Sequence, residues 1–366
     1  MTCLILIITS ILIVLAADDA VTLENRIYEG MEKIHGLSND PPISMMIYGN
    51  SDFSGIPLEN IISEYKKKTD FKKVNTILKV KKNFLKFVNK SLNTITIEEY
   101  LNNELKKFKE EIKNDINEMD LKHLTQQKEI IQKFKCFENY PLNFDDIIPD
   151  NLTMNEKNIL KNNLEYIFFE NLNENRCGIV ISGIDKETMK SSYSQFELIL
   201  NTDKNVLYED MSEEIDIKGS KIKIFAQDQT VKGFLNGIDD ELQDEISKNL
   251  TIYIEKALTQ LLIAIKEKKA FCSEECKKIE NEIDNIKRNS LAQYYFEDNL
   301  KNIKIDNINK ISEELDGMSK EELIQMSKTL INMTRLKQII NSERETVGNN
   351  VITFVLSLKK GIEKFY

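Results

Sequence analysis

The chain has 366 residues, enough to bury one large hydrophobic core or two, and it is 30% charged and 41% hydrophobic. Its net charge is −10 and its lysines are spread along predicted helices, which argues against a nucleic-acid-binding protein. Its five cysteines are odd in number and scattered, so they predict no disulfide framework. Because the chain has only two histidines, we expect no transition-metal site, and no cofactor is implied.

The first residues of the chain allow two interpretations. As a secretory signal peptide, the apolar run ends at Ala16-Ala17, but the first basic residue is Arg26, far behind it. As a β-hairpin, residues 3–8 and 11–17 form strands joined at Thr9-Ser10, which the many β-branched residues favour. The run is too short to span a bilayer, so no membrane partner is expected. Pattern alone does not choose between the two interpretations.

Further strands lead up to the first helix. Residues 31–37 are predicted to form a short strand that carries Lys33. After a proline pair, residues 43–48 form an apolar strand, which ends at Gly49. Pro57 then suits the first turn of an amphipathic helix. The first 68 residues therefore read as strands followed by one helix.

Helical and strand patterns alternate through the rest of the chain. Apolar spacing and three capping boxes, starting at Thr96, Thr153 and Ser319, predict helices at about 74–88, 97–119, 121–137, 154–168, 230–236, 240–315 and 319–340. Apolar or alternating runs predict strands at about 177–182, 194–200, 206–209, 221–227, 351–358 and up to Phe365. We expect the four strands between residues 177 and 227 to form an antiparallel meander.

This order of elements predicts the fold class. Strands from both ends and from the middle are expected to share sheets, because a lone terminal strand cannot bury itself. With helices outside antiparallel sheets, the prediction is an α+β fold, specifically a four-layer α/β/β/α sandwich. No repeat or low-complexity linker divides the chain. Residues 1–366 are therefore predicted to form a single domain, with helical insertions at about 70–150 and 240–315.

Four residues of the first fifty carry a resemblance. Thr2 stands at the start of the hairpin and Asp18, after two alanines, at its end; Lys33 and Gly49 follow. In this order the chain resembles the proteasome β-subunits and bacterial proteasome-like peptidases of the N-terminal-nucleophile hydrolases. The spacing from Thr2 to Asp18 matches without a gap, and that from Asp18 to Lys33 is one residue shorter. The segments IYGNSDFSGIP, FAQDQTVKGFLNGID and ERETVGNN look like a divergent bacterial branch of this family.

The resemblance implies a hydrolase of peptide or amide bonds, with Thr2 as its nucleophile after removal of Met1. The freed α-amine, whose reference pKa is about 7.7–8.0, can act as the general base for the hydroxyl. Lys33 would place positive charge beside both groups and lower the pKa of the amine. Asp18 would hold Lys33 in place. The N–H of Gly49 would stabilise the oxyanion.

Two positions depart from the family. Residues 227–229 (Gln-Asp-Gln) stand where the family has Ser-Gly after the meander. Residues 343–348 stand where it has Asp-x-x-Ser-Gly-Gly, and both motifs support the nucleophile there. Glu345 and Thr346 are the candidates to replace the missing groups.

The resemblance also implies a cytoplasmic homo-oligomer that acts on peptide or protein substrates, with an ATPase as a possible partner and without nucleic acid. Two alternatives stay open. One is a non-catalytic proteasome-fold protein with a binding or assembly role. The other is a secreted, helix-rich protein whose residues 1–17 are a signal peptide. Each site residue also has an ordinary interpretation: a strand start for Thr2, a turn for Asp18, an exposed charge for Lys33 and a strand-to-loop turn for Gly49.

Overall fold

The computed structural model describes residues 3–23, 26–28, 30–74, 76–112, 137, 140, 142–149, 152–185, 188–212, 219–226, 229–267, 277–279, 281, 291–340 and 347–366. The strands are β1 (Cys3–Ile8), β2 (Ile13–Asp18), β3 (Val21–Leu23), β4 (Arg26–Tyr28), β5 (Ile34–Asn39), β6 (Pro42–Gly49), β7 (Asp52–Phe53), β8 (Ile56–Pro57), β9 (Cys177–Ile184), β10 (Ser191–Asn201), β11 (Val206–Asp210), β12 (Lys221–Ala226), β13 (Val351–Ser357) and β14 (Gly361–Phe365). The helices are α1 (Leu58–Lys68), α2 (Ile77–Ser91), α3 (Ile97–Ile112), α4 (Met154–Glu174), α5 (Gln229–Asn236), α6 (Asp240–Glu267), α7 (Leu291–Leu315) and α8 (Lys320–Ile340). The fold is mixed α+β, and its sheets are antiparallel.

The β-branched run at the start of the chain forms a hairpin. β1 and β2 pair antiparallel, with Leu4 opposite Ala17, and every residue of both strands is buried. Continuous apolar strands of this kind are covered on both faces. The turn is closed by Thr9, whose N–H donates to the carbonyl of Leu12 at 2.9 Å and whose hydroxyl accepts the Leu12 N–H at 3.0 Å. A threonine side chain thus closes a turn that contains no glycine.

The first sheet has the strand order β12-β1-β2-β13-β14. Strands from the start, the middle and the end of the chain therefore share one sheet, as predicted. The expected four-strand meander is wrong at β12, which pairs with β1 so that Ala226 lies opposite Cys3. β12 covers the edge of β1 that β2 leaves free, and its Phe225 is buried among residues of both sheets.

The second sheet has the strand order β11-β10-β9-β6-β5, in which β9, β10 and β11 form the rest of the meander. β5 and β6 are joined at Asp40 and Pro41. β5 begins at Ile34, so Lys33 lies immediately before this strand and not within it, as the expected range of 31–37 had it. The carbonyl of Lys33 nevertheless accepts a hydrogen bond from the Ile47 N–H of β6 at 3.0 Å.

The core divides into clusters that follow the alternation of side chains along the strands. One cluster holds residues of both five-stranded sheets, among them Leu4, Leu6, Leu15, Met46, Val180 and Phe354. A second cluster packs α1 and α2 on the second sheet through residues that include Tyr65, Phe84, Ile179 and Phe196. A third packs α5 and α8 on the first sheet through residues that include Ile5, Val14, Val231 and Ile331. A fourth joins α3 to α4.

Two of the three expected capping boxes form completely. At the start of α4, Thr153 and Glu156 bond reciprocally, and Ser319 and Glu322 do the same before α8. At the third, the hydroxyl of Thr96 accepts the N–H of the residue three positions on, at 3.2 Å. The helix expected at 121–137 lies outside the described residues except for Phe137, and most of the stretch between α6 and α7 also lies outside them. Among the described helices, none has the length and apolarity that crossing a membrane requires.

Candidate active site

The Asp18 carboxylate at the end of β2 accepts four hydrogen bonds, although the residue is only 1% exposed. Its Oδ1 accepts the backbone N–H of Cys3 at 2.8 Å. Its Oδ2 accepts the Lys33 ammonium at 2.9 Å, the Gly348 N–H at 3.0 Å and the Ala20 N–H at 3.2 Å. Cys3 begins β1, Ala20 and Lys33 follow β2, and Gly348 lies near the end of the chain. The carboxylate is therefore held in one orientation.

Lys33 is buried, with 4% of its surface exposed, and pairs with Asp18. Burial lowers the pKa of Lys33 below its ordinary value, whereas the charge of Asp18 and their hydrogen bond act in the opposite direction. Removing one partner of such a buried ion pair destabilises the folded protein, because the other charge is left buried and uncompensated. The structure thus brings together two of the residues that the resemblance singles out.

A loop from the end of the chain packs against the turn after β2. The side-chain amide of Asn350 donates to Asp19 Oδ2 at 2.9 Å, and the Asp19 N–H donates to the Asn350 carbonyl at 3.2 Å. A Cβ at Gly348 would overlap with Asp19 Oδ1 and lie 2.7 Å from the Ala20 nitrogen. Glycine is required at this close approach. Sequence reasoning missed Asp19 and Asn350, because nothing local links positions so distant in the chain.

Gly49 ends β6 and is exposed. Its φ of +74° favours glycine, and a Cβ there would overlap with the carbonyl oxygen of Arg176. The next residue, Asn50, donates its N–H to the same carbonyl at 2.9 Å. Ile47, which donates its N–H to the Lys33 carbonyl, lies two residues before Gly49 in β6. Ile47 and Gly49 are therefore about 7 Å apart along the strand.

Thr2, Glu345 and Thr346 lie outside the described residues, and so do positions 227 and 228. Cys3, which follows Thr2 in the sequence, donates its N–H to Asp18.

A partly buried polar cluster beside Gly49 was not anticipated from the sequence. The hydroxyl of Tyr48 donates to Glu197 at 3.2 Å and accepts from the side-chain amide of Gln195 at 2.8 Å. Burial and the Glu197 charge raise the pKa of Tyr48. Arg176 pairs with both Glu197 and Glu209. They lie in β6, β10 and β11 and just before β9, so no sequence motif marks them.

Chemically, the arrangement offers a fixed buried cation, which shares the Asp18 carboxylate with the first residue of β1, and an exposed glycine at the end of β6. A buried ammonium can lower the pKa of a nearby amine and stabilise negative charge on oxygen. In the described part of the chain, no group of three or more His, Cys, Asp or Glu residues could hold a metal ion.

Comparisons with known proteins add little. No protein-family model matches the chain, and no curated protein matches it. A solved structure with some similarity is Anbu (ancestral beta-subunit) from Yersinia bercovieri, which is 8% identical to this chain. The match covers 69% of this chain and 73% of that chain, at a TM-score of 0.30. A similarity at this level does not bear on activity.

Proposed function

We propose that the chain is a proteasome-like threonine hydrolase that cleaves peptide or amide bonds, with Thr2 as the nucleophile after removal of Met1. One observation carries the proposal. The Asp18 carboxylate binds the N–H of Cys3 at 2.8 Å and the buried ammonium of Lys33 at 2.9 Å. Cys3, which follows the proposed nucleophile, and Lys33, the cation expected to activate that nucleophile, therefore bind the same carboxylate.

The proposed reaction uses groups of this chain alone. The α-amine of Thr2 takes the proton of the Thr2 hydroxyl, whose oxygen attacks the substrate carbonyl. Lys33 stabilises the developing negative charge and keeps the amine unprotonated near neutral pH. The amine then passes the proton to the leaving amine, and a water molecule hydrolyses the resulting ester by the same route. In this scheme the N–H of Gly49 binds the oxyanion, a contribution of about 2.7–4 kcal/mol in other enzymes.

We also propose that the packing amounts to the four-layer α/β/β/α sandwich that the sequence predicts. Two observations support it: one cluster contains residues of both sheets, and two others pack helices on one sheet each. The cytoplasmic location, the homo-oligomer and an ATPase partner belong to the same proposal and rest on the resemblance.

A non-catalytic assembly protein is the second candidate. It is favoured by large apolar side chains that are exposed on the last three helices, among them Tyr253, Leu261, Ile263, Ile303, Leu336 and Ile340. The secreted alternative has a structural consequence: loss of residues 1–17 would remove β1 and all but one residue of β2, which are neighbours in the first sheet.

Peptidase assays on three full-length proteins test the proposal. We expect Thr2→Ala to abolish hydrolysis of unstructured peptides, and Thr2→Ser, which keeps a hydroxyl, to retain part of it. Thr329→Ala, at an exposed position of α8, is the matched control and should behave like the wild type. If Thr2→Ala cleaves as fast as the wild type, Thr2 is not the nucleophile.

A further inference from the structure

An open cleft of about 890 Å³ begins immediately beyond Gly49. Asn50, residues 52–55 and residues 93–95 line it together with parts of α3, α4 and β10. This volume falls in the range of about 300–1,000 Å³ that is typical of ligand sites. Of the described candidate residues, Asp18, Lys33 and Gly49 do not line it, so the cleft is a feature separate from the Asp18–Lys33 pair.

Apolar side chains form part of the lining of the cleft, and polar ones such as Asn93, Thr94 and Asn171 form much of the rest. The apolar residues come from α3, from α4 and from the second sheet, and they include Tyr100, Phe108, Phe168, Leu172, Leu198 and Leu200. Several of these side chains are buried by one another in the cluster that joins α3 to α4, so the walls are a packed surface. Aliphatic or aromatic side chains of a ligand would find apolar contacts here.

The rim of the cleft is acidic. Asp52, Glu99, Glu104 and Glu111 are among the described residues that line it, against a single cation, Lys107. Lys107 already binds Glu104 at 2.7 Å. Within the described ranges, Asp52, Glu99 and Glu111 form no ion pair with a lysine or arginine. The rim therefore carries an excess of three negative charges, which attracts cationic groups.

We propose that this cleft binds an extended peptide in which apolar side chains alternate with lysine or arginine, and that it delivers such peptides to the site at Gly49. Apolar side chains would face the walls and cationic ones the rim. That the ligand is a peptide rests on the proposed function. The charge preference rests on the cleft alone.

Binding measured without catalysis tests this inference. The full-length Thr2→Ala variant is titrated against two fluorescent six-residue peptides, one alternating Lys and Leu and the other alternating Glu and Leu. We expect the Lys peptide to bind at least about tenfold more tightly at low salt, with an advantage that shrinks as salt is added.

Two double variants of equal net charge distinguish the effect of the rim carboxylates on binding from the effect of the protein's overall charge. Glu99→Gln/Glu111→Gln removes two rim carboxylates, whereas Glu98→Gln/Glu110→Gln removes two exposed carboxylates of α3 that do not line the cleft. The first should weaken binding of the Lys peptide by about fourfold or more, at about twofold to fivefold for each exposed carboxylate. The second should leave it within about twofold.

Equal weakening by both double variants would overturn the inference, and so would equal binding of the two peptides. Circular dichroism of each variant establishes that it is folded. The binding assay uses a protein that lacks the Thr2 hydroxyl, so its result does not depend on peptidase activity. An inactive wild type with rim-dependent peptide binding would refute the proposed function alone.

Discussion

The buried ion pair of Asp18 and Lys33 allows structural and catalytic roles to be separated by a double-mutant cycle. Lys33→Met and Asp18→Asn each leave one buried charge uncompensated, which should reduce the free energy of unfolding by roughly 3–5 kcal/mol. The double variant should lose less than the sum of the two. Peptidase activity should fall at least about 100-fold in all three proteins, as when other charge-stabilising groups are removed.

Urea unfolding and peptide hydrolysis, measured on the same preparations, check this prediction. A double variant that regains activity together with stability would mean that the pair only supports the fold. That result would remove Lys33 from the mechanism.

The contacts of Asp18 show which interactions of a single residue the sequence can predict and which it cannot. The pairing with Lys33 was expected, because both positions match the resemblance in type and order. The other donors are backbone N–H groups of Cys3, Ala20 and Gly348, which have no side-chain signature. Gly348 is also 330 positions away in the chain. Contacts that depend on chain folding and not on residue type were therefore missed.

His35 in β5 predicts a pH dependence of stability. Its Nε2 is buried without a hydrogen-bond partner in the described part of the chain. Burial lowers the pKa of His35 below 6.5; Glu32 acts in the opposite direction and the charge of Lys66 adds to the lowering. Between that lowered pKa and about 6.5, the unfolded chain binds more protons than the folded one, so stability falls as the pH falls through this window.

His35→Gln should therefore lose less stability than the wild type between about pH 7.5 and about pH 5.5. Urea unfolding at the two pH values measures this. The same loss in both proteins would show that carboxylates, and not His35, cause the change.

Among the elements, α8 offers a direct comparison of a buried and an exposed face. Ile331 is fully buried against the first sheet, whereas Leu336 on the same helix is 55% exposed. Ile331→Ala should reduce the free energy of unfolding by about 2–5 kcal/mol, since it removes buried methyl groups and leaves a cavity. Leu336→Ala should change it by less than about 0.5 kcal/mol. Urea denaturation checks both values, and equal losses would contradict this packing of α8.

Sequence patterns predict the strands and helices better than they predict how the strands pair. The sequence predicts most strands and helices, because apolar period and capping are local properties. The alternation in β12 predicts a strand correctly but not its partner, since pairing depends on which edge is free. β12 completes the first sheet beside β1, whereas its expected neighbour was β11.

At the scale of the whole molecule, the first sheet ties both ends of the chain together. β1 and β2 lie between β12 and β13, so the sheet cannot form in this order without them. The two interpretations of the first residues therefore differ in their physical consequences. As a hairpin, they are the centre of a sheet; as a signal peptide, they would be absent from the mature protein. That residues 1–366 form a single domain stays a prediction.

The residue at the N-terminus of the mature protein tests the central claim most directly. Intact-mass measurement and N-terminal sequencing of the purified full-length chain identify it. The hydrolase mechanism needs a free α-amine on Thr2, so it predicts a mass lower by one methionine and threonine as the first residue. A chain that starts near Ala17 or Asp18 would contradict it, because the nucleophile and β1 would both be missing.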